Sequence, residues 1–231
     1  MKIASNTKLI NRNQKIARYT TFGSLAILGI GLYITFVAPN ALTWSLTALV
    51  IGFLLSQVGM SYSNKFGKSP RPDEALTASL KGLEDKFTLY HYSGPVNHML
   101  VGPAGIWVLM PYFQAGTISY NTGKNRWVQK GGNFFLKMFG QESMGRPDLE
   151  TQYAINQVKK FLEKEFPDTV LPEVQAALIF FNKNVTLNVE AAPVPALLGE
   201  KAKEFFRKRV KETSLSPEMV AKIQKTLPPG E

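Results

Sequence analysis

Length, composition and charge restrict this chain of 231 residues to a few classes of protein. It contains no cysteine, which excludes disulfide frameworks and thiolate metal sites. The formal net charge of +10 is typical of nucleic-acid-binding proteins, but its distribution argues against that function. Residues 1–72 hold eight of the 27 basic residues and none of the 17 acidic ones, so the rest of the chain is close to neutral.

Two apolar segments near the N-terminus are predicted to form a transmembrane helical hairpin. Residues 19–64 contain no Asp, Glu, Lys or Arg, and the segments 20–38 and 41–60 each approach the roughly 20 residues that cross a bilayer. Pro39 and Asn40 predict a tight turn between them. Basic residues flank the pair and are absent from the turn, which predicts that both termini are cytoplasmic, at the cell (inner) membrane.

Two alternatives to the hairpin are a cleaved signal peptide followed by one span, and a pair of buried core helices. The first lacks a clean A-x-A cleavage site, and the second is disfavoured by the joint length of the uncharged sequence. We therefore expect a basic cytoplasmic N-terminus (1–18), a two-helix transmembrane hairpin (19–64), a linker (65–72) and a cytoplasmic α/β domain (73–231).

Apolar periodicity and turn residues predict the elements of that domain. Helices are expected from Asp73, from Pro147, over 195–211 and over 216–227. Strands are expected at 88–92, 96–101, 106–109, 117–120, 127–129, 176–181 and 185–189, bounded by turns rich in Gly, Pro and Asn. This order predicts a mixed sheet between helices.

The stretch from residue 96 to Trp127 resembles one known family. Asn97-His98, Gly102-Pro103-Ala104-Gly105-Ile106, Gly116-Thr117-Ile118 and Trp127 are similar to the core motif of the NERD, or nuclease-related, domain. Glu74 and Gln152 match the family more loosely, and the resemblance covers residues 73–190. It implies a restriction-endonuclease-like fold, in which an Asp and a Glu bind a divalent metal and a Lys helps to activate water.

Three positions of the family's catalytic motif carry other residues in this chain. Asn97 stands at the Asp position, Met110 at the Glu position and Tyr112 at the Lys position. Hard divalent cations need oxygen ligands, chiefly carboxylates, to support phosphodiester cleavage. Residues 86–141 contain no Asp or Glu, so the predicted sheet supplies no carboxylate. We therefore expect no catalytic residue, no metal and no cofactor.

The resulting prediction is a membrane-anchored, catalytically inactive nuclease-like domain that acts as a binding, scaffold or accessory-subunit protein. Its expected partners are the lipid bilayer and another protein, within a larger membrane complex in the accessory-subunit case. The alternative is a divergent metal-dependent nuclease or a nucleic-acid-binding protein.

Three further features each have two interpretations. His91 and His98 could bind zinc or make local hydrogen bonds in neighbouring strands. The basic residues of 201–211 could contact phosphates or acidic lipid, or form a solvated helix face. An apolar loop could dip into the bilayer interface or pack on the domain. Its apolar residues include Phe134, Phe135, Met138 and Phe139.

Overall fold

The structure is a computed structural model that describes residues 1–132 and 143–230. It divides into two compact units. The first, here called the helical unit, is Thr7–Arg71. The second, here called the domain, combines Met1–Asn6 with Pro72–Glu231. The chain therefore leaves the domain at Asn6, forms the helical unit and re-enters the domain at Pro72.

The helical unit consists of two antiparallel helices, α1 (Thr7–Val37) and α2 (Leu42–Tyr62). A 3-10 turn at Pro39–Ala41 joins them, and a π-helical turn at Ser63–Gly67 follows α2. Both helices are long and apolar enough to cross a membrane. The two predicted apolar segments are thus helical, although α1 begins about three turns before the apolar sequence does.

Small residues recur every seven positions along the contact between α1 and α2. The buried residues include Ala17, Ser24 and Gly31 on α1 and Ser45, Gly52 and Gly59 on α2. A Cβ atom added at Gly52 would lie 2.7 Å from Cγ of Leu28, and one added at Gly59 would lie 2.8 Å from Oγ1 of Thr21. The two backbones therefore approach closely only because these positions lack side chains.

Hydroxyl groups connect the two helices near their turn. Oγ of Ser45 donates a hydrogen bond to the carbonyl oxygen of Gly31 at 2.9 Å, and the hydroxyls of Ser45 and Thr35 are also hydrogen-bonded. These bonds connect α1 to α2 in addition to the packing of their small residues.

Nine strands of the described residues form two sheets in the domain. The strands are β1 (Lys2–Ser5), β2 (Thr88–His91), β3 (His98–Gly102), β4 (Gly105–Tyr112), β5 (Gly116–Asn121), β6 (Arg126–Lys130), β7 (Val174–Phe180), β8 (Val185–Asn188) and β9 (Ala196–Leu198). The larger sheet has the order β1-β2-β3-β4-β7-β9, and the smaller has the order β6-β5-β8. The β2-β3-β4 meander is antiparallel. The other three pairs of this sheet, β1 with β2, β4 with β7 and β7 with β9, are parallel.

Helices cover both faces of the larger sheet. They are α3 (Pro72–Leu80), α4 (Pro147–Glu165), α5 (Gly199–Glu212) and α6 (Pro217–Thr226). On one face, apolar residues of α3 and α5 pack with Leu100 and Trp107. On the other, residues of α4 and α6 pack with Met99 and Val108. The predicted mixed sheet between helices is confirmed.

The start of the chain differs from the predicted N-terminal segment 1–18. Lys2–Ser5 forms the edge strand of the larger sheet, and α1 already begins at Thr7. The backbone N–H of Lys2 donates to the carbonyl oxygen of Phe87 at 2.8 Å, and that of Asn6 donates to His91 at 3.0 Å. Pairing with a strand far along the chain decides this conformation, because so short a segment has no periodicity of its own.

A second difference concerns the segment 195–211, which was predicted as one helix. Its first residues instead form β9, which pairs in parallel with β7, and α5 begins only at Gly199. Leu178, Ile179 and Phe180 supply the pairing partners for β9, so an available sheet edge overrides the local helical tendency.

Candidate functional site

Asn97, Met110 and Tyr112, the three residues that depart from the resembled motif, lie at one end of the larger sheet. β3 and β4 are antiparallel with Met99 opposite Val108, so the exposed Asn97, which directly precedes β3, lies at the sheet end where β4 finishes. Tyr112 is two residues further along β4, so it faces the same side of the sheet as Met110. The hairpin therefore brings Asn97, Met110 and Tyr112 to one end of the sheet, and Met110 packs on the cluster that includes α4.

Apolar packing occupies this end of the sheet. Met110 is partly buried between two apolar clusters, and Tyr112 is 6% exposed. The ring of Tyr112 stacks on Phe180, with the ring centroids 5.3 Å apart. Burial raises the pKa of Tyr112 far above its usual range, and the Glu150 carboxylate raises it further. The phenol therefore stays protonated, and neither side chain is a ligand for a hard cation.

Glu150 is an acidic residue that contacts this end of the sheet and that sequence analysis did not single out. Its Oε2 accepts a hydrogen bond from the Tyr112 hydroxyl at 3.4 Å, and its Oε1 accepts one from the backbone N–H of Arg146 at 3.3 Å. The second bond satisfies a backbone N–H at the N-terminus of α4. Its place as an acidic residue in the first turn of a helix that begins at Pro147 is the sequence signal that marks it.

The neighbouring carboxylate, Asp148, is also engaged. Arg146 donates to it from Nη2 at 2.7 Å and from Nε at 3.2 Å. These hydrogen bonds lower the pKa of Asp148 below its usual value. Within residues 1–132 and 143–230, no three His, Cys, Asp or Glu side chains form a group that could hold a metal ion.

Glu74 and Gln152, the two looser family matches, belong to helices on opposite faces of the sheet. Glu74 lies in the first turn of α3, while Met110 packs on the face that α4 covers. Gln152 is exposed on α4, where its Nε2 donates to Oδ1 of Asn156 at 3.3 Å. The fold therefore does not bring Glu74 and Gln152 together beside the three degenerate positions.

The two histidines form a buried pair on the face that α3 covers. His91 and His98 are direct partners across β2 and β3, and they are 1% and 5% exposed. Their Nδ1 atoms lie 2.9 Å apart, and Nε2 of His91 lies 3.0 Å from Oγ1 of Thr77. One Nδ1–H must donate to the other Nδ1 lone pair. Burial, with a smaller effect of His91, holds the pKa of His98 well below its usual value.

This geometry favours the hydrogen-bonding interpretation of the histidines over the zinc interpretation. A zinc ion between the two facing nitrogens would need both Nδ1 lone pairs, but the hydrogen bond uses one lone pair and replaces the other by a proton. A further His, Cys, Asp or Glu ligand is also absent from the described part of the chain.

The remaining candidates divide between packed and undescribed residues. In the basic run, Nη2 of Arg207 donates to the carbonyl oxygen of Gly82 at 2.8 Å, and the guanidinium of Arg209 lies over the rings of Trp107 and Phe205. Part of that run therefore stabilises the fold. The predicted membrane-surface loop, with Phe134, Phe135, Met138 and Phe139, lies outside the described residues.

Known proteins provide no family assignment for this chain. Comparison with protein families, with curated proteins and with solved structures found no match. The function must therefore be inferred from the residues and geometry of the chain itself.

Proposed function

We propose that this protein is a membrane-anchored, catalytically inactive domain of the nuclease-related type, acting as a binding, scaffold or accessory-subunit protein at the cytoplasmic membrane face. One observation carries the proposal: the domain contains the chain on both sides of the helical unit. β1 precedes α1, and α3 follows the helical unit directly. A single folded body thus holds both ends of the apolar helix pair.

This connectivity supports a hairpin topology. Because β1 and α3 belong to one domain, the two spans must leave and return on the same side of the bilayer. The turn at Pro39–Ala41 then reaches the opposite surface. Basic residues flank both domain-side ends and are absent from the turn, which favours the cytoplasm as the location of the domain.

The arrangement of the elements supports the resemblance to the NERD family. The Gly-Pro-Ala-Gly segment forms the turn between β3 and β4, with Gly105 at a φ of 102° that favours glycine. Two further motif residues, Ile118 and Trp127 of the smaller sheet, are buried in one apolar cluster with residues of the larger sheet. A mixed sheet between α3 and α4 is the basis for proposing a restriction-endonuclease-like fold.

Inactivity is inferred from the side chains at the sheet end. Cleavage of a phosphodiester by this chemistry needs a bound cation that activates water and neutralises developing charge. Met110 and Tyr112 provide neither carboxylate nor amine, and Glu150 already caps α4 and accepts from Tyr112. A divergent nuclease would have to place its catalytic groups elsewhere.

A nuclease assay tests the inactivity. The purified full-length chain is incubated with single- and double-stranded DNA and RNA in Mg²⁺ or Mn²⁺, with EDTA as the control. No metal-dependent cleavage is expected. Cleavage that disappears in Glu74→Ala or Glu150→Ala would contradict the proposal and favour the divergent nuclease.

Single cysteines test the topology, because the chain has none of its own. Asn40→Cys places a thiol in the exposed turn, and Asn188→Cys places one on an exposed position of the domain. A membrane-impermeant maleimide should label Asn40→Cys in intact bacterial cells and Asn188→Cys only after the membrane is opened. Labelling of Asn188→Cys in intact cells would contradict the cytoplasmic domain.

Partner association is tested on the full-length chain extracted in a mild detergent. We expect size-exclusion chromatography with mass spectrometry to show a complex that contains at least one other membrane protein. A chain that elutes alone in its micelle, with no co-purifying protein at cellular expression level, would contradict the accessory-subunit role.

A further inference from the structure

The start of α1 is a basic helix that continues beyond the apolar sequence. α1 begins at Thr7, whereas the uncharged stretch begins at Tyr19. The intervening part is about 18 Å long at 1.5 Å per residue. Arg12, Lys15 and Arg18 are separated by three residues each, so they lie along one side of the helix, and all three are exposed.

The opposite side of this basic helix is buried. Ile10, Asn13 and Ala17 are the buried residues of α1 in this part, and each is less than a tenth exposed. The helix is therefore held in place by one side while the other presents its cations. This is the arrangement of a rigid charged surface rather than of a flexible basic tail.

The chain after α2 adds cations at the same level. Gly52 lies against Leu28 and Gly59 lies against Thr21. In this antiparallel pair, two residues that face each other therefore have residue numbers whose sum is about 80. Continuing that register places Lys65, in the π-helical turn, at the level of Lys15. Lys65 and Lys68 are exposed. We call Arg12, Lys15, Arg18, Lys65 and Lys68 the basic collar.

Nothing within the helical unit neutralises the basic collar. Residues 7–71 contain no Asp or Glu. Among the ion pairs of the described residues, none includes a collar side chain. Like charges three or four residues apart on a helix repel each other and destabilise it. An external anion would remove that repulsion.

The position of the basic collar, next to the end of the apolar stretch, identifies the anion. The headgroup layer extends about 5–7 Å beyond the hydrocarbon on each side of a bilayer. Arg18 directly precedes the apolar stretch, and Lys15 is less than one turn further away. Arginine binds phosphate through two parallel hydrogen bonds, and lysine attracts it as a point charge. We propose that the basic collar binds the phosphates of anionic phospholipids, an inference that rests on the proposed membrane anchoring.

Reconstitution in nanodiscs tests this lipid site. Both leaflets are accessible there, so a change in insertion direction does not affect the result. Electron paramagnetic resonance measures how strongly the protein restricts spin-labelled phosphatidylglycerol relative to spin-labelled phosphatidylcholine. At low salt we expect a preference of about fivefold or more for phosphatidylglycerol, which falls as ionic strength rises.

The variant that removes the collar replaces all five of its residues by glutamine. Its preference for phosphatidylglycerol should fall to about equal binding of both lipids, while Arg12→Lys with Arg18→Lys should retain most of it. The matched control removes five exposed lysines of the domain and should behave as the unaltered chain. That control is Lys159→Gln, Lys160→Gln, Lys164→Gln, Lys201→Gln and Lys211→Gln.

Three outcomes would overturn the lipid site. The first is an undiminished preference for phosphatidylglycerol in the collar variant. The second is an equal loss of that preference in the control, which would show that it depends only on the net charge of the protein. The third is displacement of the lipid by millimolar glycerol phosphate or by an oligonucleotide, which would indicate a soluble anion. Circular dichroism confirms that each variant is folded.

Failure of the lipid site can be distinguished from failure of the membrane anchoring. Alkaline carbonate treatment of membranes that contain the unaltered chain should leave it in the pellet. Release into the supernatant would contradict the anchoring itself. Retention without any preference for phosphatidylglycerol would contradict the lipid site alone.

Discussion

Large apolar side chains fill the core of the domain, whereas many of those in the uncharged stretch of the helical unit are exposed. Trp107 and Phe206 are 1% and 0% exposed, but Tyr19, Trp44 and Phe36 are 72%, 73% and 76% exposed. Between α1 and α2 the contact is made by small residues instead. Water drives bulky apolar groups into the domain core. In lipid that force is absent, and helices associate by close backbone packing and hydrogen bonds.

This contrast predicts that opposite substitutions damage the two regions. Removing bulk should destabilise the domain and leave the helical unit intact. Adding bulk along the line of small residues should separate the helices and leave the domain intact. The following predictions are ordered from the largest expected effect to the smallest.

The largest effect is expected from emptying the domain core. Phe206 is fully buried, with its ring 5.4 Å from that of Trp107. Phe206→Ala should lower the free energy of unfolding of the domain by about 3–5 kcal/mol, measured by urea titration with near-ultraviolet circular dichroism at fixed detergent. The control Phe36→Ala removes the same group from an exposed position and should change the free energy of unfolding of the domain by no more than about 0.5 kcal/mol. Equal losses in both variants would refute the contrast.

The second prediction adds bulk between the helices. Gly59→Leu should force α1 and α2 apart at a cost of about 1–3 kcal/mol, because its Cβ alone would lie 2.8 Å from Oγ1 of Thr21. Gly29→Leu is the control, since nothing lies within 4 Å of a Cβ atom there.

Spin labels report that separation directly. Phe22→Cys and Val58→Cys place two labels at one level of the hairpin, in a chain without native cysteine. The distance between the labels should lengthen with Gly59→Leu and stay constant with Gly29→Leu. An unchanged distance in both variants would show that these small residues do not set the helix separation.

The third prediction concerns pH, which should affect only the domain. Residues 19–64 contain no Asp, Glu, Lys, Arg or His, whereas burial holds the pKa of His98 well below its usual value. Below about pH 6.5, a histidine of the unfolded chain takes up a proton that the buried His98 does not. The stability present above that pH is therefore lost as the pH falls toward the folded-state pKa of His98.

Urea titrations at pH 7.5, 6.5 and 5.5 measure this loss. When the unfolded chain binds one proton more than the folded chain, the free energy of unfolding changes by up to about 1.4 kcal/mol per pH unit. His98→Gln should flatten the slope, and the comparison uses the slope because the variant's absolute stability also changes. A slope that is the same in His98→Gln would assign the pH dependence to other groups.

The smallest effect is expected from one hydroxyl of the helical unit. Ser45→Ala removes the hydrogen bond to the carbonyl oxygen of Gly31 and should weaken helix association by about 0.6 kcal/mol. Thr47 bonds only within its own helix, to the carbonyl oxygen of Thr43, so Thr47→Val is the control. The same spin labels, followed through a titration with sodium dodecyl sulfate, should show earlier separation only for Ser45→Ala.

Features with a local cause could be predicted from the sequence. An uncharged stretch interrupted by Pro39 and Asn40 is sufficient for two apolar helices and a turn. The Gly-Pro-Ala-Gly turn between two apolar runs is sufficient for β3 and β4, and that hairpin already brings the start of β3 beside the end of β4. Each depends on neighbouring residues, whose preferences the sequence displays directly.

The chemistry of the candidate site could be predicted only in part. The absence of carboxylates on the strands was visible in the composition. The contact between the Tyr112 hydroxyl and Glu150 was not, because it depends on where α4 packs across the sheet. The direct hydrogen bond between the histidines likewise requires the register of β2 on β3.

By itself, the sequence determined that two apolar helices and a mixed α/β domain share this chain. The tertiary structure alone decided that residues 2–5 belong to that domain, although α1 and α2 lie between them and their partner strand β2. A strand of four residues carries almost no local signal, and its backbone hydrogen bonds exist only where the folded sheet offers an open edge. For the same reason, the attachment of the domain to both ends of the helical unit became visible only in the folded structure.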